Sequence, residues 1–294
     1  MATKVWLGND SGNEGDYATA ANWSPSGVPV AADDVIIRNT SQSILTGLDQ
    51  SAVALTSITI DQSFTGVIGT SSSDFLQIAA STATIGQKRA SRGTFTGSKR
   101  LNLDFGSSTA CQISIYNTAS SSQDVNRDPL RIKAVNASTD IKVYGGTLAI
   151  SDDSDNSSTI GDIEINNSGS VTIGESVTLS NVTQNGGTLN LYSSVATLAN
   201  IKGGSFNHYD GTSASTIATL TISDGGIVNH NATGTITTCN LNGGTLDVTG
   251  TQGSKTITTL TADKDATFII DTGTVTLTND IALASSTKMQ INFR

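Results

Sequence analysis

The chain's only two histidines occupy equivalent positions in neighbouring copies of a short repeat. His208 and His230 each lie four residues after a glycine, Gly204 and Gly226 respectively. If the copies stack as coils, the imidazoles lie ~5 Å apart, close enough to share a metal ion. Asp210 is the one further ligand in reach, which is too few for a closed zinc site. We therefore predict no metal or other cofactor here and expect two ladder residues that point partly inward.

The acidic segment DSDNSSTIGDIE, residues 153–164, offers a second candidate site. It places Asp153, Asp155 and Glu164 at positions 1, 3 and 12 of a calcium loop. Position 6, where such a loop turns on glycine, is Ser158, and the segment leads into a strand-like sequence instead of a helix. We therefore expect a solvated loop, with calcium binding by these carboxylates as the alternative.

A cluster of positive charge lies in GQKRASRGTFTGSKR, residues 86–100. Its five basic residues are Lys88, Arg89, Arg92, Lys99 and Arg100, from a total of 16 in the chain. In an acidic protein such a cluster is a candidate contact for an acidic partner surface, for example a capsid shell. The alternative is a solvated loop.

The composition indicates the elements that must hold these residues. Ser and Thr together number 81 and Gly 29, against 3 Pro and 5% aromatic residues, a composition typical of strands and tight turns. The net charge is −9, of which residues 134–294 carry −8, so neither nucleic acid nor a membrane is an expected partner. No apolar run approaches the ~18 residues of a membrane span. Cys111 and Cys239 match no metal or redox spacing, and we expect reduced thiols.

Recurrent glycine pairs divide the second half of the chain into units. The marker glycine of each GGTLxL-like unit is Gly146, Gly169, Gly187, Gly204, Gly226 or Gly244. Apolar residues follow two positions later, at Leu148, Val171, Leu189, Phe206, Val228, Leu246 and, after a degenerate marker, Phe268. Polar residues alternate with them, so each unit contains a short strand. The glycines suit tight corners because they adopt positive φ without a Cβ penalty.

A second strand recurs in the same units. Its predicted inward column contains Ile163, Val182, Ile201 or Leu198, Leu220, Cys239 and Leu260. A unit of ~20 residues cannot bury its own apolar face and must stack on its neighbours. The sequence therefore predicts an all-β protein, a right-handed parallel β-helix with coils of about 20 residues. We expect an N-terminal cap or anchor over residues 1–40, irregular coils with loop insertions over 41–133 and regular coils over 134–294.

Catalytic residues are not gathered on one face of these coils. Polysaccharide lyases and hydrolases of β-helical architecture need clustered carboxylates on neighbouring coils. The outward column after GGTL instead holds Thr172, Asn190, Asn207 and Asn229, and its one acid is Asp247. We therefore predict that the protein is not an enzyme.

The first forty residues differ in kind from the repeats. Residues 5–39 contain both tryptophans, Trp6 and Trp23, and two of the three prolines, in the sequence VWLGNDSGNEGDYATAANWSPSGVPVAADDVIIRN. It resembles a motif that opens many bacterial surface β-helix proteins and some phage structural proteins. The matching residues are Trp6, Gly8, Asn22, Trp23, Gly27, Pro29, Asp34, Val35 and Ile37. The later GGTLxL units likewise resemble the coils of autotransporter passengers.

These resemblances imply a structural role in a virion or on a bacterial surface. A secreted passenger needs an export signal and an autotransporter a C-terminal barrel, and neither pattern occurs in this sequence, whereas a virion protein needs neither. We therefore predict a phage head decoration (cement) protein on the capsid exterior, with a bacterial cell-surface adhesin as the alternative. A polysaccharide lyase or hydrolase is less favoured. The resemblance also implies a homotrimer. Its expected partner is the major capsid protein or another virion protein, contacted through Trp6, Trp23 and the basic cluster.

Overall fold

A computed structural model describes residues 1–87, 96–151, 157–250, 253–271, 274–283 and 288–293. These residues form 24 strands and one short 3-10 helix, Ala20–Asn22, with no α-helix among them. The chain divides into two compact units, Met1–Ile150 and Ser151–Arg294. Parallel pairing between equivalent strands of successive coils makes each unit a β-solenoid, which confirms the predicted all-β, parallel β-helical class.

The first unit contains eleven strands, some with long loops between them. They are β1 (Thr3–Trp6), β2 (Trp23–Ser24), β3 (Asp34–Ile37), β4 (Asp49–Asp61), β5 (Leu76–Gln87), β6 (Leu101–Asp104), β7 (Gln112–Ile115), β8 (Leu130–Lys133), β9 (Val135–Asn136), β10 (Asp140–Val143) and β11 (Thr147–Ile150). β1 pairs in parallel with β3 and antiparallel with β2. The terminal edge is therefore only two residues long, which limits edge-to-edge pairing with other chains.

The second unit has thirteen strands in its described residues. They are β12 (Ser158–Ile165), β13 (Ser170–Ile173), β14 (Val177–Gln184), β15 (Thr188–Leu191), β16 (Val195–Ile201), β17 (Ser205–His208), β18 (Ile217–Ser223), β19 (Ile227–His230), β20 (Thr235–Asp247), β21 (Lys255–Ile270), β22 (Val275–Leu277), β23 (Ala282–Leu283) and β24 (Lys288–Phe293). Burial alternates along most of them, with every second side chain inside.

Residues at equivalent repeat positions stack in vertical columns. Leu189 pairs with Phe206, Phe206 with Val228 and Val228 with Leu246, and each is 0% exposed. The interior column predicted from the glycine markers is therefore confirmed. Because a coil of this size has no core of its own, the burial of each member depends on the coils above and below it.

The second predicted column is right except at one coil. Val182 pairs with Ala199 and Ala199 with Leu220, so Ala199 occupies this column in β16 in place of Ile201 or Leu198, and Ile201 is buried two residues further along, opposite Ile222. A register shift between Val195 and Leu198 turns Leu198 outward. The expectation failed because a bulge adds a residue to one strand and changes which side chains face inward.

The paired glycines are required by close contact between successive corners. Gly187 and Gly204 have φ of +72° and +78°. A Cβ on Gly187 would lie 2.2 Å from the carbonyl oxygen of Gly169, and one on Gly204 would lie 2.3 Å from that of Gly187. Each corner thus occupies the space that a side chain on the next would need.

A loop covers part of the outer face of the first unit. Asn102 and Arg131, on the outward side of β6 and β8, are 0% and 1% exposed. The Asn102 amide donates to the carbonyls of Ser71 and Asp74 at 3.1 and 3.0 Å, and the Arg131 guanidinium lies 5.2 Å from the centre of the Phe75 ring. Polar side chains on these coils therefore fasten the loop onto the sheet.

We expect Phe206→Asp to lower the free energy of unfolding by at least about 4 kcal/mol, because it removes a buried ring and places a carboxylate where no partner can reach it. Thr197→Asp, at an exposed position in the preceding coil, is the matched control and should change the free energy by less than about 0.5 kcal/mol. Urea unfolding followed by circular dichroism measures both. Equal effects of the two substitutions would contradict the interior assignment of Phe206.

Candidate functional sites

The N-terminal segment is built on three buried aromatic rings. Trp6, Tyr17 and Trp23 are 0%, 1% and 2% exposed, and Trp23 makes edge-to-face contacts with Trp6 at 5.2 Å and with Tyr17 at 4.7 Å. The indole N–H of Trp6 donates to the Gln42 carbonyl at 2.9 Å, and that of Trp23 donates to the Tyr17 carbonyl at 2.8 Å. The two tryptophans that we expected at an interface therefore lie inside the segment, where no partner can touch them.

Asn22 holds the loop between β1 and β2. Its side-chain amide donates to the carbonyls of Asn13 and Asp16 at 2.6 and 2.9 Å, and its side-chain oxygen accepts from the Asp10 N–H at 2.8 Å. An amide supplies donors and an acceptor together, which a carboxylate cannot do when ionised. The Asn-Trp of the N-terminal motif is thus explained by the internal structure of the segment.

The basic cluster is only partly within the described residues. Lys88, Arg89 and Arg92 lie outside them, and Lys99 is exposed. Arg100 is 7% exposed and makes a two-pronged ion pair with Asp124, with N···O distances of 2.7 and 2.6 Å, while its third nitrogen donates to the Gly69 carbonyl at 3.0 Å. These hydrogen bonds raise the pKa of Arg100 and lower that of Asp124. Arg100 therefore holds the loop that carries Asp124 in place, and its charge is paired within the protein.

The two histidines meet in the interior of the second unit, in adjacent coils as expected. β17 and β19 pair so that His208 stands opposite His230, and both are 0% exposed, deeper than the predicted partly inward position. Their Nδ1 atoms are 2.9 Å apart, and His208 Nε2 lies 3.2 Å from the Ser193 carbonyl. His208 can therefore donate from Nε2 to Ser193 and accept at Nδ1 the proton of His230 Nδ1. This arrangement requires His208 to be neutral.

Burial keeps the histidines uncharged. It lowers the pKa of His208 to about 4 and that of His230 to about 3, where the neighbouring His208 and Lys255 add to the effect. His230 Nε2 is buried without a hydrogen-bond partner in the described part of the structure. Lys255, also 0% exposed, donates to the carbonyls of Gly250 and Gly253 at 2.5 and 3.1 Å. A protonated imidazole at His230 would be repelled by the Lys255 ammonium, and the Asp210 carboxylate offsets only part of the cost of burying the charge.

Asp210 does not complete a metal site with the histidines. Its carboxylate accepts from the Ser215 N–H at 2.8 Å and from the N–H and hydroxyl of Thr233 at 2.9 and 2.6 Å. The described residues contain no group of three His, Cys, Asp or Glu side chains placed to hold a metal ion. Asp210 instead ties together the turns that follow β17 and β19.

The calcium-loop candidate does not keep the geometry that its spacing requires. Asp153 and Asp155 lie outside the described residues, and Glu164 is in β12, which begins at Ser158. The Glu164 carboxylate accepts from the Asn166 amide at 3.2 Å. Positions 6 to 12 of the supposed loop therefore form one extended strand, about 20 Å long, which cannot curl around an ion.

The outward column after GGTL is a hydrogen-bonded ladder. The amide of Asn207 donates to the side-chain oxygen of Asn190 at 2.9 Å, and the amide of Asn229 donates to that of Asn207 at 2.7 Å. The Asp247 carboxylate accepts from the N–H and hydroxyl of Thr249 at 2.9 and 2.7 Å. This face thus presents side chains bonded to one another and no pair of carboxylates placed for acid and base roles.

Neither cysteine is suited to nucleophilic chemistry. Cys111 and Cys239 are free and buried, which confirms the expected reduced state. Burial raises the pKa of each thiol to about 12, so both stay protonated at neutral pH. The thiolate is the reactive form, and these residues therefore serve as small core side chains.

Two features escaped the sequence analysis, namely stacked tyrosines and a polar cavity. Tyr116 stacks on Tyr144 with ring centres 4.9 Å apart, and Tyr192 stacks on Tyr209 at 5.0 Å. A cavity of about 360 Å³ opens in the first unit near the Tyr116–Tyr144 stack. We call it the corner cavity, and its lining residues are Gln62, Thr96, Asn117, Thr118, Ala119, Ser120, Gly146 and Thr147. The stacking could have been predicted from the sequence, because four of the chain's five tyrosines directly follow the last, inward-pointing residue of a strand.

Acidification should destabilise the protein through the histidine pair. Unfolded histidines have a pKa near 6.5, so below that pH the unfolded chain binds protons that the folded chain excludes. This contribution to stability is complete above pH ~6.5 and declines as the pH falls, until the folded pKa values near 4 and 3 are reached. Urea unfolding between pH 7 and 4.5, before most carboxylates titrate, should show a loss of several kcal/mol.

The control for this prediction is His208→Leu/His230→Val, which repeats the residue types of Leu191 and Val248 in the same interior column. The double variant should lose most of the pH dependence between 7 and 4.5. An unchanged slope would mean that groups other than the two histidines cause it.

Comparison with known proteins gives no relative from which a function could be transferred. The chain matches no protein-family model, no curated protein and no solved structure. Within its described residues, no helix is long and apolar enough to cross a membrane.

Proposed function

We propose that this protein is a structural, non-catalytic β-solenoid of a virion, a decoration protein on the exterior of a phage head. The observation that supports a structural role is the use of outward polar groups within the protein itself. Asn190, Asn207 and Asn229 bond to one another, and Asp247 bonds to its own turn. A catalytic face would instead keep such groups directed at a substrate.

The distribution of charge supports docking through the N-terminal part of the chain. Residues 134–294 carry a net charge of −8, whereas residues 1–133 are nearly neutral and contain the basic cluster. Like charge discourages association between acidic surfaces, and mixed charge suits an interface. Because Arg100 is engaged by Asp124, the basic residues that we propose for the contact are Lys88, Arg89, Arg92 and Lys99.

The proposed state is a homotrimer bound to the major capsid protein or to another virion protein. Both parts rest on the resemblance of the N-terminal motif to those of phage structural proteins, and sedimentation equilibrium tests the trimer directly. The alternative, a bacterial cell-surface adhesin, shares the same motif and would bind cells instead of capsids.

Reversal of the four proposed basic residues to Glu should abolish co-sedimentation with undecorated capsids of the cognate phage. The matched control reverses four lysines of the acidic region, Lys142, Lys202, Lys264 and Lys288, and should leave binding unchanged. Both variants change the net charge equally, so only a localised contact distinguishes them. Equal behaviour of the two variants, or a parent protein that binds bacterial cells and not capsids, would overturn the proposal.

Incubation with acidic and neutral polysaccharides should release neither reducing ends nor unsaturated products. The expected result follows from the lack of paired carboxylates on the outward column and from thiols that stay protonated. Cleavage that persists in a chromatographically homogeneous sample would place the protein among the enzymes.

A further inference from the structure

The corner cavity is a neutral, polar site in the first unit. Its volume of about 360 Å³ lies within the ~300–1,000 Å³ of ordinary small-molecule sites. Two amides, Gln62 and Asn117, and four hydroxyls line it, and none of its lining residues is charged. Amides and hydroxyls both donate and accept hydrogen bonds, so the lining matches a ligand that is rich in hydroxyl groups and has no net charge.

The floor of the cavity is fixed by close backbone contacts. Thr118 donates from its N–H to the Asn117 side-chain oxygen at 3.0 Å and accepts at its hydroxyl from the Thr147 N–H at 2.8 Å. A Cβ on Gly86 would lie 1.9 Å from the Asn117 carbonyl oxygen, and one on Gly146 would lie 2.6 Å from the Thr118 nitrogen. Asn117 and Thr118 are therefore held between Gly86 and Gly146 of the neighbouring coils. Because these residues are already fixed, the site loses less conformational entropy when a ligand binds.

An aromatic stack stands beside this floor. Tyr116 precedes Asn117, and Tyr144 lies two residues before Gly146, so both rings belong to the coils that build the cavity. Their planes are 12° apart, and Tyr116 is 44% exposed although one face of its ring is covered by Tyr144. Gly86 follows Ile85, the partner of Ile115, so among the described residues the position opposite Tyr116 has no side chain to cover the other face of its ring. An open aromatic face carries partial negative charge that attracts the C–H groups of a sugar ring.

We propose that the corner cavity and the Tyr116–Tyr144 stack form a binding site for a neutral saccharide. One sugar ring would pack on the open face of Tyr116, and its neighbour would hydrogen-bond to Gln62, Asn117 and Ser120. A charged saccharide is disfavoured because the described lining residues offer no counter-ion. The inference is independent of the location of the protein on a virion.

The second tyrosine stack provides a matched comparison. Tyr192 and Tyr209 have nearly the same geometry, with ring centres 5.0 Å apart, and Tyr192 is 37% exposed. The corner beside them differs in charge, because a Cβ on Gly211 would lie 2.3 Å from Glu175 Cβ and 3.0 Å from the Glu175 carboxylate, whereas no charged residue is among those lining the corner cavity. If the tyrosines only stabilise the fold, substitution in either stack should have the same effect on saccharide binding. If the corner cavity is a saccharide site, substitution of Tyr116 should weaken binding and substitution of Tyr192 should not.

The test is titration calorimetry of the full chain with tetrasaccharides of glucose, mannose, galactose and N-acetylglucosamine, and with tetragalacturonate as the charged probe. At least one neutral probe should bind saturably below about 10 mM. Tyr116→Ala should weaken that binding at least about tenfold, and Tyr192→Ala should leave it within about twofold. Ser120→Trp, at the exposed lip, blocks the cavity without touching the core and should also abolish binding.

Thermal unfolding of the variants checks that each is folded, and Ser120→Trp decides the question if Tyr116→Ala is not. The proposal is overturned if no neutral probe binds, if tetragalacturonate binds more tightly than every neutral probe, or if Tyr192→Ala weakens binding as much as Tyr116→Ala. Binding that survives Ser120→Trp would also overturn it, since the saccharide would then occupy another surface.

Discussion

Each coil of this chain can bury its apolar face only against the coil before it and the coil after it. Strands in register place equivalent residues ~4.8 Å apart. The side chain at one position must therefore pack against the side chains at the same position in the two neighbouring coils. Phe206 is buried because Leu189 and Val228 lie on either side of it. The corner glycines obey the same rule, since a Cβ on Gly204 would meet the carbonyl oxygen of Gly187.

The same constraint determines what polar residues do. An outward amide such as Asn207 finds an identical group above or below and bonds to it, which stabilises the ladder and removes the group from other uses. An inward histidine contacts another histidine, and the two are neutral at pH 7 because burial disfavours the charged form of each ring. In a regular column, therefore, polar side chains that could bind or react with a ligand bond to one another instead. The repetition of such a residue type is not by itself evidence of a catalytic or binding site.

The regular columns could be predicted from the sequence because a repeat position fixes both the partner and the direction of a side chain. That is why the interior place of Phe206 and the meeting of His208 with His230 followed from the glycine markers. Prediction failed where a residue is inserted, as at the bulge that places Ala199 in the second column. It also failed for Arg100, because its partner Asp124 comes from a loop whose path no period describes. The Asn-Trp motif was recognisable, but no repeat position indicates that Trp6 and Trp23 pack on each other and on Tyr17 inside the segment.

These failures share a cause that bears on function. Where coil length varies, the columns break, and polar groups are left without an identical neighbour to bond. In the first unit residue 82 pairs with 112 and residue 112 with 140, whereas residues 188 and 205 pair in the second. The longer coils bring Gln62, Asn117 and Thr147 from three separate turns around one cavity. In a solenoid of this kind, therefore, the departures from the repeat are the places where side chains remain available to a ligand, and the most regular coils are the support that holds them in position.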